Sequence, residues 1–200
     1  MAESINKSRI DLLVIGGSAG SLEVILKAFP QLTTDLPFAI ILVLHRKQNT
    51  DTTLIDLLSA KTKITVIEAN EKELIKAGCI YVAPADYHLL IENDHTLSLD
   101  YSEKVNFSRP CIDITFQTAA ETYKDRLACL LMSGASADGV EGLELVKTLQ
   151  GITAVQDPKT AEVSYMPQKA LDKMEVDYIV ETDKVFDFIN MLAKSSELTA

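Results

Sequence analysis

Short unbroken apolar runs alternate along the chain with stretches whose apolar residues recur every three or four positions. DLLVIG (11–16), FAIILVL (38–44), KITVIEA (63–69), LACLLMSG (127–134), GITAVQ (151–156) and VDYIVE (176–181) are the runs. Their lack of polar alternation is the mark of strands covered on both faces, as in a parallel sheet. Between them, SLEVILKAFPQL sets Leu22, Ile25, Leu26 and Phe29 on one helical face. TTLIDLLSAK and VEGLELVKTLQ read as helices, and IDITFQTAAETYKD keeps helical spacing through Ile112, Phe116 and Tyr123. DKVFDFINMLAK closes the chain with Val185, Phe188, Ile189 and Leu192 together on one face. The middle differs: CIYVAPADYHLLIEND and HTLSLDY are short, alternating and broken by Pro84 and Asn93-Asp94, as in an antiparallel hairpin or meander. The pattern predicts one α/β domain over residues 1–200: a doubly wound, mostly parallel sheet with helices on both faces, and a small antiparallel hairpin insertion near residues 79–101.

Composition narrows the partners. The 200 residues carry 29 acidic against 19 basic side chains, a net charge of −10. That balance weighs against nucleic acid or an anionic membrane surface, since both need a basic face and Arg46-Lys47 is too short to make one. Cys79, Cys111 and Cys129 form no Cys-x-x-Cys pair and leave an odd count. This fits reduced, structural cysteines in a cytoplasmic protein rather than a disulfide frame or a zinc site. MAESINKSRID lacks an apolar signal core, and no run nears the ~20 residues that span a bilayer.

Loops leaving the carboxyl ends of parallel strands share one edge of the sheet, and sites form there. Three such loops carry reactive groups: Gly16-Gly17-Ser18-Ala19-Gly20, His45 directly after Leu44, and Ser133-Gly134-Ala135-Ser136-Ala137-Asp138-Gly139. The first fits G-x-S-x-G, in which small residues allow a sharp turn that projects the serine beside helix N-terminal N–H groups. A serine hydroxyl needs a base in reach, itself oriented by a carboxylate. His45 can be that base and Asp138 that carboxylate. Ser18 and Asp138 each have a plainer reading, Ser18 as a cap for the helix near Ser21 and Asp138 as a turn or cap residue before Gly139; His45 differs in that six apolar residues lead straight into it. His88 and His95 lie in the hairpin region, where solvated or cross-strand roles are expected. Rival motifs fail: the middle glycine of G-x-G-x-x-G is replaced by Ser18, and no G-x-x-x-x-G-K-[ST] occurs. The order Ser18, His45, Asp138 differs from the Ser, Asp/Glu, His order of α/β-hydrolases.

Taken in order, VIGGSAGS, His45, GCIYVAPADYHLLIE, SRPCIDITFQTAAETY, LMSGASADGVEGL and AVQDPKTAEVSYMPQKAL run from about Leu12 to Leu192. With these, the chain resembles the catalytic domain of the CheB-type chemotaxis receptor methylesterases. The resemblance implies a Ser18/His45/Asp138 triad, with the backbone N–H groups of Ala19 and Ala135 as oxyanion donors. It implies hydrolysis of glutamyl γ-methyl esters on the cytoplasmic domains of chemoreceptors, with release of methanol, and deamidation of receptor glutamines. Neither a metal nor an organic cofactor is expected, and activity should rise with pH as His45 loses its proton. Members of this family usually carry an N-terminal receiver domain, for which the residues ahead of the first strand are too few. Ala135 stands where the family commonly has methionine, and Arg46-Lys47-Gln48-Asn49 lacks a proline often found after the histidine. Two alternatives stay open: a serine esterase acting on another ester or amide, and a signalling module of the same fold whose triad is idle.

Overall fold

A computed structural model describes residues 9–45 and 53–197. Arg46-Lys47-Gln48-Asn49, where that proline is lacking, lies outside the described residues. The described residues form nine strands and six α-helices. The strands are β1 (Leu12–Gly17), β2 (Ala39–Leu44), β3 (Thr65–Glu68), β4 (Cys79–Val82), β5 (His88–Ile91), β6 (Leu97–Asp100), β7 (Leu127–Leu131), β8 (Ile152–Gln156) and β9 (Tyr178–Val180). The helices are α1 (Ser21–Ala28), α2 (Thr53–Ser59), α3 (Ile112–Tyr123), α4 (Val140–Thr148), α5 (Tyr165–Lys173) and α6 (Val185–Glu197).

Seven strands form one sheet in the order β3-β4-β2-β1-β7-β8-β9, every pair parallel. From β1 the chain passes to β2 and out to the edge strand β3, comes back to β4 between these two, and then crosses to β7 on the other side of β1. The switch point therefore lies at β1, where an open α/β sheet leaves a crevice beyond its carboxyl edge. The sheet's pleat sends alternate residues to opposite faces. Leu13, Ile15, Ile40, Leu42, Ala128 and Leu130 pack with Ile25 of α1, Leu58 of α2 and Phe188 and Leu192 of α6. Leu12, Val14, Ile41, Cys129 and Leu131 pack with Phe116 of α3, Leu143 of α4 and Met166 of α5. Both faces are thus dry, the physical reason the strand sequences run unbroken. The described helices include none long and apolar enough to cross a membrane.

The doubly wound sheet, its helices on both faces and the antiparallel hairpin agree with the sequence pattern. The insertion is smaller than expected. Cys79–Val82 pairs in parallel with both β2 and β3 and belongs to the main sheet. Only β5 and β6 form the antiparallel pair, with His88 opposite Asp100. One helix escaped the pattern altogether. α5 follows a short loop after β8 and carries Pro167 in its first turn, where the missing N–H has no intrahelical partner to lose.

Candidate functional site

The register of β1 and β2 brings Gly17 opposite Leu44, and the His45 N–H donates to the Gly17 carbonyl at 3.1 Å. Ser18 and His45 therefore leave adjacent strands side by side. On the other flank the Ser18 N–H donates to the Ser133 carbonyl at 2.8 Å, so the loop after β7 closes against the loop after β1. Gly134 sits at this contact. A Cβ there would lie 2.6 Å from Met166 Cε and 3.0 Å from Ser18 Cβ, so a larger residue would press on both side chains.

Ser18 does not cap α1. The residue before that helix is Gly20 at φ 81°, a left-handed turn that glycine adopts without strain, and no side chain caps it. Among the described residues the Ser18 hydroxyl has no hydrogen-bond partner, and the residue is partly exposed. The N–H groups of Ala19 and Ala135, both exposed residues, likewise have no hydrogen-bond partner among the described residues.

Asp138 does not cap its own helix either; α4 starts behind Gly139 with no side-chain cap. Its carboxylate is buried and is shared between His45 and the start of α3. Oδ2 accepts from His45 Nε2 at 2.7 Å and from the Ile112 N–H at 2.8 Å. Oδ1 accepts from the Asp113 N–H at 3.0 Å and from the Cys111 thiol at 3.1 Å. The positive end of a three-turn helix thus faces the carboxylate, whose charge in turn satisfies two of that helix's orphan N–H groups. Burial opposes ionisation here, but the four donors outweigh it and hold the Asp138 carboxyl down at about 2. The Cys111 thiol is pushed up, first by burial and then by the Asp138 charge, so it keeps its proton and serves as a donor.

Two further groups surround this centre. His88, for which a solvated or cross-strand role is expected, pairs across the hairpin with Asp100 and is fully buried: its Nδ1 accepts the Cys111 N–H at 3.2 Å and its Nε2 donates to the Glu103 carbonyl at 3.0 Å. His95 packs edge-on against Tyr123, with ring centroids 4.8 Å apart. Asp113 is also buried; its Oδ1 accepts the Gly142 N–H at 2.7 Å and its Oδ2 accepts from Asn106 Nδ2 at 2.9 Å. Burial and the neighbouring Asp138 charge, against the opposing Gly142 bond, push the Asp113 carboxyl up to about 6.

Between pH 4 and 6 the native Asp113 carboxyl holds a proton that an ordinary carboxyl of the unfolded chain, near ~3.9, has released. Its contribution to stability is therefore full below about pH 4 and is lost as pH rises through about 6. Asp113→Asn removes that dependence. Urea unfolding at pH 4 and pH 7 should show the variant gaining on the wild type by on the order of 2–3 kcal/mol across the interval. An unchanged difference would mean Asp113 titrates normally.

Donor atoms of Cys111, Asp113 and Asp138 lie within 4.8 Å of one another, a spacing that could hold a metal ion. The four hydrogen bonds on Asp138 and the protonated thiol already occupy those atoms, so the set is a poor fit for a cation. Beside it opens a cleft of about 600 Å³ lined by Phe107, Asp113, Asp138, Val140, Lys169 and Lys173 among others. Phe107 stands 99% exposed at its lip, on a loop tied down by the Asn106–Asp113 bond.

The sequence had marked Ser18, His45 and Asp138; the structure joins His45 to Asp138 directly and sets Ser18 beside them. Cys111, Asp113 and His88 were not marked. No local pattern signals them, because the bonds that tie them to one another, to Asp138 and to Gly142 join residues 23 to 29 positions apart.

A doubly wound parallel sheet with a serine, a histidine and a buried aspartate gathered at its switch point defines an α/β protein whose site lies at the carboxyl edge of β1. Within that class, the chain belongs to the CheB methylesterase family, whose model matches residues 13–189. It is similar to a putative protein-glutamate methylesterase/protein-glutamine glutaminase of Leptospira interrogans, 40% identical over 186 residues, 93% of this chain and 96% of that one. A protein-glutamate methylesterase/protein-glutamine glutaminase of Pyrococcus horikoshii is 34% identical over 176 residues, 86% of this chain but 48% of its own length. Among solved structures, the Thermotoga maritima CheB methylesterase catalytic domain superposes with a TM-score of 0.86 at 31% identity, covering 92% of this chain and 98% of that one.

Proposed function

We propose that this protein is a protein-glutamate methylesterase that hydrolyses glutamyl γ-methyl esters on chemoreceptors through a Ser18/His45/Asp138 triad. The observation that carries the reading is the 2.7 Å bond between His45 Nε2 and the Asp138 carboxylate, one strand away from a serine hydroxyl with no described partner. With Nε2–H given to Asp138, Nδ1 is the nitrogen left to accept a proton. That fixes the tautomer a general base needs.

In this mechanism Ser18 Oγ attacks the ester carbonyl carbon and its proton passes to His45 Nδ1. The resulting oxyanion is met by the N–H groups of Ala19 and Ala135, of which only the backbone is required, so alanine at 135 suffices. The carbon–oxygen bond to the methoxy group breaks, His45 returns the proton to the leaving oxygen, and methanol departs. Water, deprotonated by His45, then cleaves the acyl-enzyme to give glutamate and free Ser18. A glutamine side chain would follow the same route with ammonia as the leaving group. The anionic Asp138 carboxylate stabilises the imidazolium formed at each transfer. The cleft lined by Phe107, Val140 and Lys169 would take polypeptide flanking the reacting side chain.

The test is methanol release from methyl-labelled chemoreceptor membranes of the same organism. Release by the protein, blocked when it is first treated with a fluorophosphonate, is expected. Cleavage of a generic ester without methanol release would leave the triad standing and overturn the substrate. Neither reaction, in a folded protein, would make the site idle.

A further inference from the structure

The loop that carries Ser18 is held by hydrogen bonds on both sides of one N–H. The Ser18 N–H donates to the Ser133 carbonyl at 2.8 Å, and the Ser18 carbonyl accepts the Ser21 N–H at 3.1 Å. Beyond the Ser18–Ala19 peptide, the Ala19 carbonyl accepts from the Ser133 hydroxyl at 2.6 Å. The Ser21 hydroxyl donates to the same Ser133 carbonyl at 2.8 Å. Among the described residues the Ala19 N–H, the oxyanion donor of the mechanism above, has no partner of its own. Ser133 makes three of these four bonds, two through its carbonyl and one through its side chain.

Ser133 lies two residues past the end of β7 and is fully buried. It is itself held from the far side. Its N–H donates to Gln156 Oε1 at 2.8 Å, and its hydroxyl oxygen accepts the Val163 N–H at 2.9 Å. Gln156 is fully buried as the last residue of β8, and its Nε2 donates to Thr182 Oγ1 at 2.7 Å. A buried amide is costly unless both ends are paired, and an apolar side chain would fill the same space without that demand. Both ends here are paired, one of them to Ser133.

We infer that Ser133, anchored by Gln156, is the positioning residue of the Ala19 oxyanion donor; the inference rests on the triad reading above. Neither residue touches substrate. Each acts by fixing the direction in which the peptide N–H points, and a donor displaced by about 1 Å can lose ~10²-fold in rate.

The experiment uses the full chain and a fluorophosphonate, following by mass the rate at which the adduct forms on Ser18. Ser133→Ala should lower the maximal labelling rate ~10–100-fold per folded molecule, with half-saturation within about twofold. The pH at which labelling switches on should not move, because His45 and Asp138 are untouched. Ser133→Thr keeps the hydroxyl and should restore the rate to within about threefold, and Gln156→Leu should fall between. A purely architectural Ser133 would instead lower thermal stability and the labelled fraction while the folded molecules react at the wild-type rate, and that result overturns the inference. Should Ser133→Ala not fold, Gln156→Leu decides in the same way, since it leaves the hydroxyl in place. Equal labelling of Ser18→Ala and wild type would instead bring down the triad reading, and this inference with it.

Discussion

Replacing Ser18 by alanine is expected to remove methanol release from labelled receptors, a loss of ~10⁵-fold or more, while the protein unfolds at about its wild-type temperature. Both halves follow from the same observation. The Ser18 hydroxyl has no partner among the described residues, so its removal strands no donor or acceptor. The bonds that hold the loop run through the Ser18 backbone, and through Ser21 and Ser133, all of which alanine preserves. The measurement is methanol release alongside a thermal melt. Unaltered release would remove Ser18 from the mechanism; lost release with a collapsed melting temperature would show that the hydroxyl has a structural role.

Asp138→Asn should lose ~10⁴-fold in kcat and be unstable as well. The carboxylate accepts four hydrogen bonds, two on each oxygen. An amide has one oxygen, so whichever way it turns, its NH₂ must face two donors. With the NH₂ toward His45, the ring tautomer is reversed and the Ile112 N–H is left buried without an acceptor. The other way round, the Asp113 N–H and the Cys111 thiol lose theirs. Either arrangement should cost ~2–4 kcal/mol of stability. Equilibrium unfolding in urea measures that part, and the rate per correctly folded molecule measures the other. A variant as stable as the wild type would mean that the helix α3 N–H groups do not depend on this carboxylate.

Much of this was legible in the sequence, for identifiable reasons. β1, β2 and β7 announce themselves because both faces of the sheet are covered, so every position is apolar. Ser18, His45 and Asp138 stand out because each lies just past such a run. β4 was misplaced because CIYV is short and flanked by hairpin-like sequence; its insertion between β2 and β3 is a pairing of distant segments that no local pattern encodes. α5 is absent from the sequence reading; its Pro167 sits in the first helical turn, where it breaks nothing. The second ring of the site was invisible for a related reason. Cys111, Asp113 and His88 look like core and surface residues until folding sets the start of α3 against the loop after β7.

The dual use of Asp138 bears on how such a protein could fall silent. A serine that supports nothing else can be lost at little structural cost, and the chain would still fold and still bind. The aspartate anchors the amino end of α3 and would be among the last residues to go. A relative that has abandoned chemistry for pure binding should therefore keep its aspartate and betray itself at the position of Ser18, which makes the serine the informative residue to inspect first.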